Sequence, residues 1–232
     1  MQTIPFFNLS LTLIPLLIVW YYYHKWTNDK YEILISTIRM VFQLLLIGYF
    51  LILLFEKKDN FIGLLIILFM VSVSTWIALR NTQDRSIKHY SFIFISIGIS
   101  GLIHLVLIVG FVLDLEEFYE PRFVIPIAGM IFANTMNALS IAIERYEKEI
   151  SRDVIFEKAR EIAFKACMIP QINSLLAVGL VSLPGMMTGQ ILSGVDPLIA
   201  VRYQIMIMTM VISSAGISTM VYFLLKKVKA EL

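Results

Sequence analysis

Seven apolar runs, each near the length that crosses a bilayer, leave this chain few folds to choose from. They cover Ile4–Tyr23, Ile33–Phe55, Phe61–Leu79, Phe92–Leu113, Phe123–Ile143, Ile172–Leu192 and Tyr203–Leu225. A membrane helix needs about 20 mostly apolar residues. In hydrocarbon the backbone must satisfy its own hydrogen bonds, so runs of this kind are helices. Only 16% of residues are charged, against about 25% in soluble chains. The expected fold is an all-α, polytopic integral membrane helix bundle of about seven transmembrane helices. The loops are short except the one after the fifth run, so residues 1–232 are expected to form a single transmembrane domain. A six-span version follows if the first run lies in the interface.

The first run has no basic stretch before it and no small-residue cleavage pattern. It reads as a retained span, not a cleaved signal. The net charge of +2 gives no footing for nucleic acid. The lone Cys167 excludes an internal disulfide and a cysteine zinc site.

Lysine and arginine bias sets the expected orientation in the cell membrane. The fifth-to-sixth connection carries Arg145, Lys148, Arg152, Lys158, Arg160 and Lys165, and the tail carries Lys226, Lys227 and Lys229. Both are expected in the cytoplasm. The loop with Asp114, Glu116, Glu117 and Glu120 is expected outside. Seven crossings then place the N-terminus outside and the C-terminus inside.

Polar residues within the runs are the candidates for function. Pro184, Gly185 and Gly189 interrupt the sixth run, beside Met186, Met187, Thr188 and Gln190. Broken spans are how transporters build binding sites. Arg39 and Gln43 share a face of the second span; Gln43 is the deeper and needs a partner. Ser96, Ser100 and His104 form one stripe in the fourth span. His104 is either a metal or proton site or a neutral imidazole bonded between helices. Asn134 and Asn137 share a face of the fifth span and either line a pathway or staple helices. Met206, Met208 and Met210 alternate in the seventh run, a spacing that suits ordinary packing. Asp196-Pro197 reads as the cap and first residue of the last helix. The metal ligands, if any, are not specified by these residues.

The segment at about 144–171 alternates charged and apolar residues at helical spacing. It is either a solvated extension of the fifth helix that turns and re-enters, or a docking element for a soluble partner. In the second case Ile155, Ile162 and Phe164 supply the contact, with Arg160 and Lys165 at its rim. No phosphate-binding loop of the G-x-x-x-x-G-K-[ST] type occurs. Intramembrane carboxylates are absent from the apolar runs. A transporter built this way would draw on an ion gradient or a separate ATPase, and the missing carboxylates favour the ATPase.

Longer motifs point the same way. They are Arg39-x-x-x-Gln43-Leu44-x-Leu46-x-Gly48, Ile125-Pro126-x-x-Gly129-Met130-Ile131-x-x-Asn134-Thr135-Met136-Asn137, and Ile169-Pro170-x-Ile172-Asn173-Ser174. The most specific runs from Val181-Ser182-Leu183-Pro184-Gly185-Met186-Met187-Thr188-Gly189-Gln190-Ile191-Leu192 to Gly194, with Tyr203-Gln204-Ile205-Met206-Ile207-Met208 beyond it. Together these resemble the FetB-type permeases, iron-export ABC transporter subunits, and the similar plant aluminium-tolerance membrane subunits. The resemblance implies a permease paired with a cytosolic ABC ATPase in a two-plus-two assembly, hence a homodimer of permeases among membrane lipids. It implies export of iron or another metal, no cofactor on this chain, and ATP on the partner. One departure is the connection before Ile169-Pro170. It lacks the Leu-Ala-Leu-Gly-Ala-like stretch of such permeases and is shorter.

The expected substrate pathway is Gln43, His104, Asn134, Asn137, Met186, Met187, Thr188 and Gln190. Two other classes compete: a gradient-driven secondary transporter using His104, and a non-transporting seven-helix receptor or scaffold.

Overall fold

The computed structural model describes residues 4–56, 59–80, 82–117 and 119–231, with backbone alone for residues 53, 55, 56 and 228–231. The Lys229 side chain and Leu232 lie outside the described residues. Among the described residues every regular element is a helix. Six helices are long and apolar enough to cross a membrane: Phe6–Thr27, Glu32–Ile52, Asn60–Leu79, Ile87–Val112, Pro121–Ile150 and Pro197–Lys227. The protein is a polytopic helical membrane protein. The expected span Ile172–Leu192 is not a single helix.

The chain falls into two compact units, Met1–Lys57 and Lys58–Leu232. The first holds α1 (Phe6–Ser10), α2 (Leu13–Thr27) and α3 (Glu32–Glu56). Asn28 ends α2 in the left-handed region, at φ 58°. Asp29 then caps α3, its Oδ1 accepting from the Tyr31 and Glu32 amides at 2.9 and 3.0 Å. The Tyr23 hydroxyl donates to the Glu32 carboxylate, and Trp20 Nε1 donates to the Lys30 carbonyl at 2.9 Å. These bonds hold α2 and α3 as a hairpin.

The second unit holds α4 (Asn60–Leu79), α5 (Ile87–Leu107), α6 (Pro121–Ile150), α7 (Phe156–Ala177), α8 (Gly185–Leu192) and α9 (Pro197–Glu231). Asp59 caps α4 and Ser86 caps α5, each accepting first-turn amides. α5 ends in a π-turn at Ile108–Val112, where the Leu113 amide reaches the Ile108 carbonyl at 2.8 Å. Pro121 opens α6, a position where its missing N–H costs nothing.

α6 packs against α4, α5, α7 and α9. In lipid there is no hydrophobic drive between helices, and small residues that permit close approach take its place. Ala138 and Ala142 on α6 and Ala159 and Ala163 on α7 are fully enclosed. On α5, a Cβ built at Gly101 would run into the Phe132 ring of α6. Polar staples complete the packing. Ser100 Oγ donates to the Ser214 carbonyl of α9 at 2.9 Å. His89 donates Nδ1–H to the Asp84 carbonyl at 2.5 Å and accepts at Nε2 from the Tyr222 hydroxyl at 2.9 Å.

The segment expected at about 144–171 comprises the end of α6, a turn and the first part of α7. Glu144–Ile150 forms the last two turns of α6. The turn that follows passes through Asp153 at φ 60°, and α7 starts at Phe156. Pro170 sits inside α7 and leaves the Ala166 carbonyl without its usual amide. Cys167 Sγ lies 3.8 Å from Thr219 Oγ1, Met168 meets Gly216, and Leu175 shares a cavity wall with Thr209. Rising numbers meet falling ones, so α7 runs antiparallel to α9. Between α6 and α9 the chain is helical in two pieces, α7 and α8.

Candidate functional site

The helix is interrupted at residues 178–184, between α7 and α8. The Ala177 carbonyl gathers the amides of Leu180, Val181 and Ser182 at 3.2, 2.8 and 3.2 Å. The Gly179 amide turns back to the Ser182 carbonyl at 3.0 Å. Gly179 sits at φ +82°, which glycine adopts freely and other residues do not. Thr188 closes the far side, its amide on the Pro184 carbonyl at 3.0 Å and its hydroxyl on the Leu183 carbonyl at 3.2 Å. Local bonding of this kind is what an interrupted backbone needs in hydrocarbon.

The interruption lies one step earlier than the expected Pro184–Gly189. Helix resumes at Gly185, with Pro184 at its N-cap and Gly189 inside it. A Cβ at Gly185 or Gly189 would meet no heavy atom within 4 Å. Within this chain, neither glycine serves to let a neighbour approach. From Met208, beside the turn, α9 runs back to Pro197, about 16 Å further at 1.5 Å per residue. Asp196 caps α9 as expected, its Oδ1 accepting the Leu198 amide at 2.8 Å.

The end of α7, the turn, α8 and α9 line a half-open cavity of about 330 Å³, with Leu183 and Ile205 58% and 60% exposed at its edge. Leu183, Met187, Ile205 and Met208 supply apolar wall, and Gln204 and Thr209 supply polar atoms. Gln204 is 5% exposed, and its Oε1 is enclosed with no hydrogen-bond partner. Gln190 Oε1 is likewise enclosed and unpartnered. Met187 and Gln190 are three apart on one face of α8, as Gln204 and Met208 are four apart on α9. No charged residue lines this cavity.

The other candidates lie elsewhere. Met186 packs against the core. His104 is 3% exposed, with Nδ1 2.7 Å from the Ser100 carbonyl and Nε2 2.8 Å from Ser213 Oγ. A carbonyl only accepts, so Nδ1 carries a proton; the Ser213 hydroxyl beside Nε2 also lies 2.6 Å from the Thr209 carbonyl, and its one proton is contested between the two. Both nitrogens are thus used in bonding α5 to itself and to α9. Asn134 Nδ2 donates to the Met130 carbonyl at 2.8 Å, within α6. Asn137 is exposed on α6, and Gln43 is exposed on α3. None of His104, Asn134 and Asn137 lines the cavity. Gln204 and Met208 complete it without having been singled out as site residues. The available signal was one carboxamide among isoleucines and methionines in Tyr203–Met210.

The model of the uncharacterised protein family UPF0014 matches residues 6–229. The chain belongs to the UPF0014 family. It is 34% identical to the probable iron export permease protein FetB of Escherichia coli, over 92% of this chain and 86% of that protein. It is 33% identical to a UPF0014 membrane protein of Synechocystis, over 78% of this chain and 76% of that one. The protein ALUMINUM SENSITIVE 3 of Arabidopsis thaliana is 29% identical over 81% of this chain and 73% of its own length. No solved structure matches. Met187 falls on the cavity wall, and Gln190 on the turn of α8 beside it.

A second feature of this UPF0014 chain is a groove of about 600 Å³ between α7 and α9. It brings together Arg160, Phe164 and Lys165 with Ile217, Met220 and Leu224. Ile155 stands 69% exposed at the start of α7, while Ile162 is half-buried. Arg160 lies over the Phe156 ring at 5.7 Å. Glu161 joins Lys165 at 2.7 Å and Lys158 at 3.0 Å. Its carboxyl is held down at about 2, first by the Lys165 bond and then by Lys158. That contribution is present above the ordinary carboxylate range and is lost as pH falls toward 2. Full exposure keeps it small. Among the described residues, no three His, Cys, Asp or Glu side chains are grouped to hold a metal ion.

Proposed function

We propose that this chain is the membrane permease of an ABC-type exporter for a metal or metal-related cargo. A separate cytosolic subunit binds and hydrolyses ATP, and the chain itself brings no cofactor. One observation carries the reading: α7 joins the cavity at its broken end to the Phe164 groove at the other. A relative that covers nearly the same length is named a probable iron export permease. The groove takes an apolar segment of the ATPase subunit, with Arg160 and Lys165 meeting its polar rim. Two permeases and two ATPases make the assembly, and residues 1–232 act as one permease domain.

The test is purification of the chain from its own cells. An ATPase subunit is expected to come with it. The double change Ile155→Ala and Phe164→Ala removes two apolar anchors, each of a kind that often costs about 2 kcal/mol when truncated at an interface. The partner is expected to bind at least roughly 30-fold more weakly, at 1.4 kcal/mol per tenfold, while membrane insertion persists. Cargo movement down an ion gradient in liposomes without any ATPase would replace this reading with a secondary transporter.

Orientation follows from charge. The α6–α7 turn and the end of α9 lie at the basic end of the second unit, and the Asp114–Glu120 loop lies at the other. The first belongs to the cytoplasm, with the C-terminus, and the N-terminus lies outside. A cysteine at Ser151, in a Cys167→Ser background, is expected to react with an impermeant thiol reagent only after the cells are opened. Labelling in intact cells would reverse the orientation.

A further inference from the structure

The groove between α7 and α9 runs deeper than a water-soluble subunit follows. On α9 it extends from Leu224 to Ser213, about 16 Å along the axis at 1.5 Å per residue. Those residues belong to the apolar run Tyr203–Leu225, and Lys226 and Lys227 follow it directly. Cys167 lies beside Thr219. Arg160 and Lys226 are each seven residues from that pair, on antiparallel helices. Arg160 is therefore level with the point where α9 leaves its apolar run. The groove has a basic mouth at the membrane surface and an apolar floor within the hydrocarbon.

The mouth has cationic charge left over. Lys158 and Lys165 share one carboxylate, Glu161, at 3.0 and 2.7 Å. Among the described residues no carboxylate pairs with Arg160, which is half-buried with its guanidinium over the Phe156 ring at 5.7 Å. A ring face does not satisfy the forked N–H donors of a guanidinium, and that fork matches phosphate. Further in, the walls are Phe164, Ile217 and Met220, and Gly216 leaves the floor without a side chain. Met220 and Leu224 are exposed, so the groove is open along one side to the bilayer. An acyl chain can enter it sideways from the lipid. Basic pockets between membrane helices on the cytoplasmic side bind anionic headgroups.

We propose that this groove holds one anionic phospholipid, with its phosphate on Arg160 and Lys165 and an acyl chain along Met220 toward Ser213. The inference rests on the permease reading, in which the ATPase segment meets the mouth beside Ile155 and Phe164. The lipid then forms part of the surface which that segment meets.

The probe is dioleoylphosphatidylglycerol, titrated into the delipidated full chain in neutral detergent and counted by native mass spectrometry. It is expected to bind at least about fivefold tighter than dioleoylphosphatidylcholine, the worth of one basic residue at an anionic surface. Arg160→Gln should remove that preference and leave the phosphatidylcholine affinity unchanged. Lys148→Gln changes a basic residue of α6 outside the groove, and should leave the preference intact. Gly216→Leu fills the floor with Arg160 in place and should weaken both lipids. A Cβ there makes only ordinary contact with Met168 at 3.9 Å, so this variant covers a failure of the first to fold. Four results would overturn the inference. They are equal affinity for the two lipids, a preference that survives Arg160→Gln, displacement of the lipid by inorganic phosphate alone, and loss of bound lipid when the chain dimerises or binds its ATPase. The last would give the whole groove to protein. Lipid preference without a co-purifying ATPase would sink the permease reading and leave this site standing; an ATPase without the preference would do the reverse.

Discussion

Gly101→Leu is expected to break the α5–α6 seam, while Gly98→Leu, three residues away, leaves it intact. At Gly101 a Cβ alone already collides with the Phe132 ring, and Phe132 is itself 2% exposed. The ring has nowhere to go, because Ile131 and Leu139 of the same helix are fully enclosed in the core around it. Overpacking of this kind costs about 1–3 kcal/mol, occasionally more, and a leucine adds three carbons beyond the colliding Cβ. At Gly98 the same atom meets nothing within 4 Å. Detergent-solubilised protein followed by size exclusion after heating separates the two cases. A large drop in melting temperature for Gly101→Leu alone is the expected result. Equal drops would mean that the seam is not set by this contact.

The second large effect is at His104. Alanine there removes the bonds to the Ser100 carbonyl and to Ser213 and leaves a hole at a buried position, while the Ser213 hydroxyl keeps the Thr209 carbonyl at 2.6 Å. The expected loss is about 2 kcal/mol, from the lost interhelical hydrogen bond and the cavity together. His104→Gln supplies both a donor and an acceptor at similar reach, and should recover about half of that loss. Transport should follow stability: reduced with alanine, largely retained with glutamine. Loss of transport in both variants at unchanged melting temperature would return His104 to the conduction pathway, and with it the proton-coupled reading.

The spans were legible because hydrocarbon imposes one rule on the whole length of a helix. Asp196-Pro197 was legible because a capping carboxylate followed by proline has few other uses. The position of the break was not. The turn is built mostly from apolar residues, here Val178, Leu180, Val181 and Leu183, with only Gly179 and Ser182 as punctuation ahead of Pro184. Pro184 and Gly185 drew the eye, yet they open α8, and the left-handed residue is Gly179. The π-turn at Ile108–Val112 left no trace in composition, since it needs only one extra residue. Within the candidate site, Met187 and Gln190 stood out beside a helix breaker. Gln204 did not, because a carboxamide inside a long regular helix carries no local sign of lacking a partner.

Pro170 gives α7 a mechanical character that packing alone would not. The helix is a stiff rod at both ends and weak at one joint, where the Ala166 carbonyl has lost its amide. Its lower arm carries Phe164 and Lys165 on the groove, and its upper arm carries Leu175 and the Gly179 turn on the cavity. Rods yield at their weakest section, so a force applied to the lower arm would appear as a swing of the upper one. A swing of the upper arm about Pro170 would then change the width of the cavity mouth while Ala159 and Ala163, on the lower arm, stay packed.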